Sequence, residues 1–334
     1  MNPIRPVIVG RGMAGQAIAR SLAQIAAVIT DLELLPWVFA QRNADLSSYI
    51  AAAAKNILFV ANPSGLHAAT MLNGVKSGYE AIICDKPVCV TRAELESIKK
   101  IKIPVHILHG YRAMWGAQTI KQMIDAAELG EIFAIECRYW QSSVAQQAVG
   151  EIATTTSWKN DEKLSGVFDV FTDLGSHVFD MFMYLFSARP EKSRAWLSYA
   201  NSPAKHRDTH VHLNLQFSNT CNAVASISKT LHGATNDFSI VVVGTKASVT
   251  WSFCAPDEIR IGCGSKLTIL RRSRQTMPIA TTPFHGLGWL EGYVEIILQS
   301  LRCWQGVSAY TGPTLAEAIS VMESMFDTEF THKN

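Results

Sequence analysis

The chain of 334 residues has few charged residues, no long apolar run and no clustered cysteines. Asp, Glu, Lys and Arg make up 17%, against ~25% in typical globular proteins, and the 30 basic residues outnumber the 28 acidic ones by only two. This balance excludes recruitment of nucleic acid or an anionic membrane through bulk charge. No segment approaches the ~20 uninterrupted apolar residues of a membrane span. We therefore expect neither a nucleic-acid nor a membrane partner.

The seven cysteines are an odd, scattered set without a CxxC pair. Such a set predicts free thiols in a reducing cytoplasm and argues against both a disulfide framework and a zinc site. Residues 1–30 fit a strand, a turn and a helix better than a secretory signal. The predicted location is the cytoplasm, with no metal site.

Hydrophobic periodicity divides the chain into two predicted domains, 1–115 and 116–334. In the first, short apolar runs alternate with helical patterns, as is typical of βαβ units and a doubly wound parallel sheet. In the second, helices precede a series of alternating strands, which predicts an α+β domain with a large, mainly antiparallel open sheet. The expected fold class is therefore α/β with a second, α+β domain.

The predicted strands of residues 209–256 contain only three charged residues, Lys229, Asp237 and Lys246. An antiparallel sheet with one face in water is usually more polar. We expect the second face to be covered, either by the first domain or by another subunit, and a homodimer or homotetramer to form through this sheet.

A GxGxxG motif directly follows the first predicted strand and opens a helix. The first glycine permits a tight turn, the second lets the backbone approach a pyrophosphate, and the third allows close helix packing. The alternative is a glycine-rich turn without a ligand. The predicted dinucleotide-binding residues of this motif are Gly10, Gly12, Met13, Ala14 and Gly15.

The second predicted strand ends in Gln41 and Arg42, where a ribose 2′-hydroxyl of NAD would meet a carboxylate. An arginine here can instead pair with the 2′-phosphate of NADP. Arg42 therefore favours NADP over NAD. The alternative is a solvated arginine, with Asp45 or another group at the ribose.

Lys86 follows the buried strand that ends at Cys84, so it should project at the carboxyl edge of the sheet, where open α/β folds bind ligands. Pro87 indicates a fixed turn at this point. A solvated surface lysine is the alternative.

Asp173, His177 and Asp180 have helical spacing within an otherwise apolar segment, predicted as one helix over 173–186. Ionisable groups on a buried helix are costly unless they are paired or functional. Two other interpretations stay open: an aspartate stabilised near the helix N-terminus beside a core histidine, and a metal site, which lacks further clustered donors.

These motifs together resemble the Gfo/Idh/MocA family (glucose-fructose oxidoreductase, inositol dehydrogenase, rhizopine catabolism), over nearly the whole chain. Besides GxGxxG and DxxxHxxD, the matching positions are Asn62-Pro63 with His67, Asp85-Lys86-Pro87, Tyr111-Arg112, Trp158-Lys159-Asn160-Asp161, Ser165-Gly166 and Gly312-Pro313-Thr314. Asp85 departs from the usual glutamate of the family.

The resemblance implies an N-terminal Rossmann domain, a second domain whose open sheet forms subunit contacts, and hydride transfer between NADP or NAD and a sugar, cyclitol or related hydroxyl carbon. It assigns Lys86, Asp173 and His177 as catalytic residues. His177 would take the hydroxyl proton, and Lys86 would stabilise charge on the reacting oxygen. Asp173 would orient His177 or bind a neighbouring hydroxyl, with Asp180 as a supporting partner.

The remaining expectations concern residues around these groups. Asn62, His67 and Lys86 are expected at the cofactor. Lys86, Asp173 and His177 also contact the sugar-like substrate, and the other expected substrate-binding residues are Tyr111, Arg112 and Trp158, with Lys159 as a further candidate. His210 and His212 share one face of a predicted strand and either reach the pocket or face solvent, and the loop 284–289 resembles one near the active site of relatives.

Two other functions stay open at this point. One is a non-catalytic sugar or dinucleotide sensor on the same fold. The other is a lyase or hydrolase that uses NAD transiently, without net formation of NADH.

Overall fold

The computed structural model describes residues 2–151, 158–200, 207–218, 221–273 and 287–331. Its contacts divide the chain into two compact units. The first unit comprises Met1–Ala113 and Leu287–Met322, and the second comprises Met114–Gly286 and Glu323–Asn334. The sequence predicts a boundary near residue 115 but assigns 287–322 to the C-terminal domain, whereas these residues return to the first unit.

The first unit is built on a five-stranded parallel sheet in the order β2-β1-β3-β4-β5. This arrangement confirms the predicted Rossmann-type sheet, and its strand order reverses between β1 and β3, where open α/β folds bind ligands. The elements are β1 (Ile4–Val9), α1 (Met13–Val28), β2 (Val38–Phe39), β3 (Lys55–Val60), α2 (His67–Lys76), β4 (Ala81–Cys84), α3 (Arg92–Ile98) and β5 (Val105–Ile107).

The sequence patterns explain these elements locally. All four residues of β4 are fully buried, in accord with the uninterrupted apolar run of a central parallel strand. Helix α3 begins with the predicted capping box: the Thr91 hydroxyl accepts from the Glu94 amide, and the Glu94 carboxylate accepts from the Thr91 amide.

The second unit contains a nine-stranded sheet in the order β13-β12-β11-β10-β6-β9-β8-β7-β14. Two strand pairs, β6 with β9 and β7 with β14, are parallel, and the others are antiparallel, which confirms the predicted α+β class. The elements up to residue 271 are α4 (Trp115–Asp125), β6 (Ile132–Trp140), α5 (Ser143–Ala148), α6 (Glu162–Ser165), α7 (Val170–Asp173), α8 (Gly175–Phe186), β7 (Lys192–Ser198), β8 (His210–Ser218), β9 (Cys221–Ser228), β10 (Asp237–Gly244), β11 (Ser248–Ser252), β12 (Glu258–Cys263) and β13 (Lys266–Arg271).

The prediction of one helix over 173–186 is wrong. Asp173 ends the short helix α7, Leu174 forms a turn, and His177 lies in α8. Leu174 keeps helical dihedral angles (φ −89°, ψ −36°), so the apolar spacing continues through the break. Periodicity therefore could not reveal that the two residues lie on separate helices.

The C-terminal elements are α9 (Leu290–Trp304), α10 (Leu315–Phe326) and β14 (Glu329–Thr331). Helix α9 packs against α1 and β5, and the Lys55 ammonium donates to the Trp304 carbonyl at its end, at 2.7 Å. Its buried face, which includes Ile297 and Leu301, explains why residues 287–322 belong to the first unit. Among the described residues, the helices are too short or too polar to span a membrane.

Candidate functional site

The GxGxxG turn has the geometry of an open anion cradle. Gly10 has φ +109°, and a Cβ there would lie 2.2 Å from the Ala61 carbonyl oxygen. A Cβ on Gly15 would lie 2.0 Å from the Gly10 carbonyl oxygen, whereas one on Gly12 meets no atom within 4 Å. In the described part of the chain no side chain caps α1, and its first turn carries no acidic residue. The amides of Met13 and Ala14 therefore suit a phosphate.

The turn after β3 carries Asn62 and His67. The Asn62 side-chain nitrogen donates to Thr70 at 2.8 Å, while its buried Oδ1 meets no hydrogen-bond donor of the described residues. His67 is fully buried, with Nδ1 2.7 Å from the Pro87 carbonyl and Nε2 2.7 Å from the Asn62 carbonyl. Burial lowers the pKa of His67. The histidine thus joins the Asn62 turn to the Lys86-Pro87 turn from inside the unit.

Two arginines, Arg11 and Arg42, lie near the end of β2 in structure or in sequence. Gln41 and Arg42 are exposed. Arg11, which the sequence analysis did not assign, extends from the glycine turn and lies over the Phe39 ring, 5.3 Å from its centroid. Asp45 is engaged by Ser47, whose amide and hydroxyl donate to its carboxylate, and these bonds lower the pKa of Asp45.

Lys86 is half-buried directly after β4 and Asp85, at the sheet edge predicted for it. The Tyr293 hydroxyl of α9 donates to the Asp85 carboxylate at 2.8 Å. Tyr293 therefore orients the residue next to Lys86. More than 200 positions separate the two residues, so no sequence pattern connects them.

Tyr111 and Arg112, predicted to contact substrate, are buried in a 3₁₀ turn. The Arg112 guanidinium pairs with the Glu317 carboxylate within the first unit. His109 lies beside this turn, and burial, followed by the charge of Arg112, lowers its pKa to about 3. The structure thus engages Arg112 in an ion pair within its own unit.

In the second unit, Asp173 is the centre of a charged cluster. Its Oδ2 lies 2.8 Å from the Lys229 ammonium and 2.8 Å from the Lys159 ammonium. Lys229 also binds the Asp169 carboxylate at 2.7 Å. Burial by itself lowers the pKa of Lys229, but the charges of Asp173 and Asp169 and their hydrogen bonds outweigh it and raise the pKa above its usual value. Lys229 is thus a charged member of the site.

The backbone in front of Asp173 is held by two buried residues that the sequence analysis did not assign. Asp208 accepts from the amides of Asp169 and Phe171, at 2.5 and 2.7 Å. The Arg207 guanidinium donates to the carbonyls of Gly166 and Phe168, at 2.7 and 2.9 Å. These bonds fix the start of α7.

His177 is half-buried on α8, and the Tyr139 ring packs edge-on against it at 5.9 Å between centroids. Asp180 is buried on the same helix. Trp158 is partly exposed, 5.9 Å from the Lys159 ammonium. The second unit therefore holds Lys159, Asp173 and His177 on a 3₁₀ turn, α7 and α8, segments that follow one another between residues 158 and 186.

His210 and His212 share one face of β8, as predicted, with their Nε2 atoms 3.1 Å apart. His212 is exposed, and burial lowers the pKa of His210. Of the loop 284–289, residues 284–286 lie outside the described residues.

Part of the chain is similar in sequence to known proteins. Residues 117–250 match the family model described as the GFO/IDH/MocA C-terminal domain. An uncharacterised oxidoreductase of Bacillus subtilis (strain 168) is 24% identical over 210 residues, which are 61% of this chain and 53% of that protein. The aligned part thus spans about half the length of this curated relative.

Two solved structures share the architecture. An inositol dehydrogenase homologue from Azotobacter vinelandii, complexed with NAD⁺, has a TM-score of 0.82 at 18% identity and covers 98% of this chain and 94% of its own. A levoglucosan dehydrogenase, in complex with NADH and levoglucosan, has a TM-score of 0.82 at 19% identity over 97% of both chains. At these identities the likeness shows the fold. The family model identifies residues 117–250 as a GFO/IDH/MocA C-terminal domain, and the two solved structures share the fold of the whole chain.

Proposed function

We propose that this protein transfers a hydride between a nicotinamide dinucleotide and a hydroxyl carbon of a sugar, cyclitol or related polyol. The observation that carries the proposal is the uncapped N-terminus of α1 behind the Gly10–Gly15 turn, which fits a pyrophosphate. The names of the relatives support the substrate class, since one acts on levoglucosan and another is an inositol dehydrogenase homologue.

The proposed chemistry uses three residues. His177 accepts the proton of the substrate hydroxyl, because an imidazole titrates near neutral pH. The C–H bond of the same carbon breaks with its electron pair, so the alcohol is oxidised to a carbonyl as the nicotinamide is reduced. Lys86 donates a hydrogen bond to the reacting oxygen and stabilises its developing negative charge. Asp173 accepts from a neighbouring hydroxyl. The bound cofactor supplies a hydride acceptor at nicotinamide C4.

The other site assignments are part of the same proposal. The amides of Met13 and Ala14 and the side chains of Asn62 and Gln41 contact the cofactor, while His67 supports the turn. Trp158 and Lys159 contact the substrate, and Tyr111 and Arg112 shape the site from inside the first unit.

We propose NADP as the preferred cofactor. Arg42 and Arg11 place two guanidinium groups at the end of β2, and Asp45 there is occupied by Ser47. A guanidinium matches the geometry and charge of a 2′-phosphate.

Two further proposals concern the oligomeric state and the cellular location of the protein. We propose a homodimer or homotetramer in the cytoplasm, formed through the nine-stranded sheet. One face of its strands carries exposed Trp196, His212 and Val224, and a monomeric mass in light scattering would refute this assembly.

The direct test is turnover of a sugar and cyclitol panel, followed by nicotinamide absorbance. Lys86→Met should bind NADPH normally, measured by quenching of tryptophan fluorescence, but lose at least about 100-fold in kcat because the developing oxyanion loses its donor. Lys76→Met, an exposed lysine at the end of α2, is the matched control and should keep wild-type turnover.

Full activity of Lys86→Met would refute the mechanism. If the wild type binds dinucleotide but turns over no substrate, the sensor function is favoured. If it consumes substrate without net NADH or NADPH, the lyase or hydrolase function is favoured instead.

A further inference from the structure

Lys229 is a buried lysine between two carboxylates at the end of β9. Its side chain is 4% exposed, and its ammonium lies 2.7 Å from Asp169 Oδ1 and 2.8 Å from Asp173 Oδ2. An ammonium removed from water is costly unless opposite charges compensate it at short distance. Both carboxylates therefore compensate the charge of the buried Lys229 ammonium.

Lys159 offers an internal comparison, because it binds the same oxygen of Asp173 at the same 2.8 Å. Its side chain is 42% exposed, and exposed ion pairs contribute little because water screens them. The buried Lys229 is therefore the stronger influence on Asp173.

The backbone that carries Asp173 has supports besides Lys229. Asp208 binds the amides of Asp169 and Phe171, and Arg207 binds the carbonyls in front of them. Loss of the Lys229 ammonium would remove the buried partner of the Asp173 carboxylate, while Asp208 and Arg207 would still hold the start of α7.

From this geometry we propose that Lys229 is a positioning residue, which keeps the Asp173 carboxylate ionised and in one orientation as a hydrogen-bond acceptor for substrate. The proposal rests on the proposed function. It leaves His177 as the group that exchanges the proton, since an ionised Asp173 has none to give. The titratable and charged groups around Asp173, taken from every segment packed there, are Lys159, Asp169, His177, Asp180, Arg207, Asp208 and Lys229.

The test compares Lys229→Gln with Asp169→Asn across a pH profile of kcat/KM. Both substitutions break the ion pair between Lys229 and Asp169, but only the first removes the positive charge from Asp173. We expect Lys229→Gln to lower kcat/KM at pH 7 by about tenfold to 100-fold and to move the acid limb up by about one pH unit. Asp169→Asn should keep the wild-type acid limb.

If the acid limb of kcat/KM moves equally in Lys229→Gln and Asp169→Asn, the ion pair is merely structural and the proposal is overturned. Should Lys229→Gln fail to fold, the double variant Lys229→Gln/Asp169→Asn, in which the two lost charges balance, should show the same raised acid limb. If the acid limb of the double variant lies at the same pH as that of the wild type, the proposal is likewise overturned.

A second measurement does not require activity. In a thermal-unfolding cycle of Lys229→Gln, Asp173→Asn and the double variant, the losses of Tm should be non-additive, because the two residues share one interaction. Additive losses would refute the coupling. If the wild type shows no hydride transfer with any substrate, the proposed function fails, while this cycle still decides whether Lys229 and Asp173 are energetically coupled.

Discussion

The candidate sites of the two units use polar groups in different ways. In the first unit the glycine turn exposes backbone amides, and the buried histidines His67, His106 and His109 have lowered pKa values because burial disfavours their charged form. In the second unit Lys229 is buried as a charge between two half-buried carboxylates. A phosphate-binding turn needs open donors, whereas an acceptor for substrate hydroxyls needs a carboxylate that stays ionised.

The difference also shows how each site is held. The glycine turn depends on the absence of side chains, because a Cβ on Gly10 or Gly15 would collide with backbone atoms. The Asp173 cluster depends on side chains from three segments that are distant in sequence. Substitutions should therefore damage the first site through backbone geometry and the second through charge.

The largest effect is expected for Gly10→Ala. The added methyl would meet the Ala61 carbonyl at 2.2 Å with φ at +109°, so the turn must move, at a cost above about 3 kcal/mol. Unfolding in urea measures the loss, and dinucleotide binding should disappear with it. Gly12→Ala is the control: its methyl meets no atom within 4 Å, so stability should stay within about 0.5 kcal/mol while dinucleotide affinity falls. Equal destabilisation of the two variants would contradict the strained turn.

The next effect is an acid-dependent loss of stability in the first unit. His106 is stacked between Trp304 and Tyr310, and burial lowers its pKa from 6.5 to about 4. Below the pKa of the unfolded chain only the unfolded state takes up this proton, so stability falls as the pH falls from about 6.5 to about 4. The contribution is about 3 kcal/mol.

The measurement is the free energy of unfolding at pH 7 and pH 4. His106→Phe keeps a ring in the stack and should lose about 3 kcal/mol less than the wild type between these values. His232→Phe, an exposed histidine of the second unit, should follow the wild type. If His106→Phe loses as much free energy of unfolding between pH 7 and pH 4 as the wild type, His106 of the wild type must be charged while buried.

The smallest effect is expected for the exposed Arg42, on the affinity for NADPH. Arg42→Ala should weaken NADPH binding about fivefold to tenfold, roughly 1 kcal/mol, and leave NADH binding unchanged, because only NADPH carries the 2′-phosphate. Fluorescence titration measures both affinities, with Arg20→Ala on α1 as the control. Equal affinity of the wild type for NADPH and NADH would refute the 2′-phosphate assignment.

Much of the first site could be predicted because its parts are contiguous. The strand, the glycines and the helix lie within residues 4–28, and Lys86 directly follows β4. The separation of Asp173 from His177 onto two helices was missed, because Leu174 interrupts the hydrogen bonding but not the spacing of apolar side chains. The return of 287–322 to the first unit was missed as well, since the apolar face of α9 does not specify its partner.

The sequence by itself determined the βαβ order of the first unit, the strand-rich second unit and the motifs of the family, because strand and helix periods and glycine turns are local properties. Only the tertiary structure decided which charges meet. In the sequence Lys229 is one of three scattered charges in strands that contain few charged residues, yet the pairing of β9 with β6 and β8 brings its ammonium to Asp169 and Asp173. Coulomb interactions depend on distance in space, and distance along the chain does not encode it.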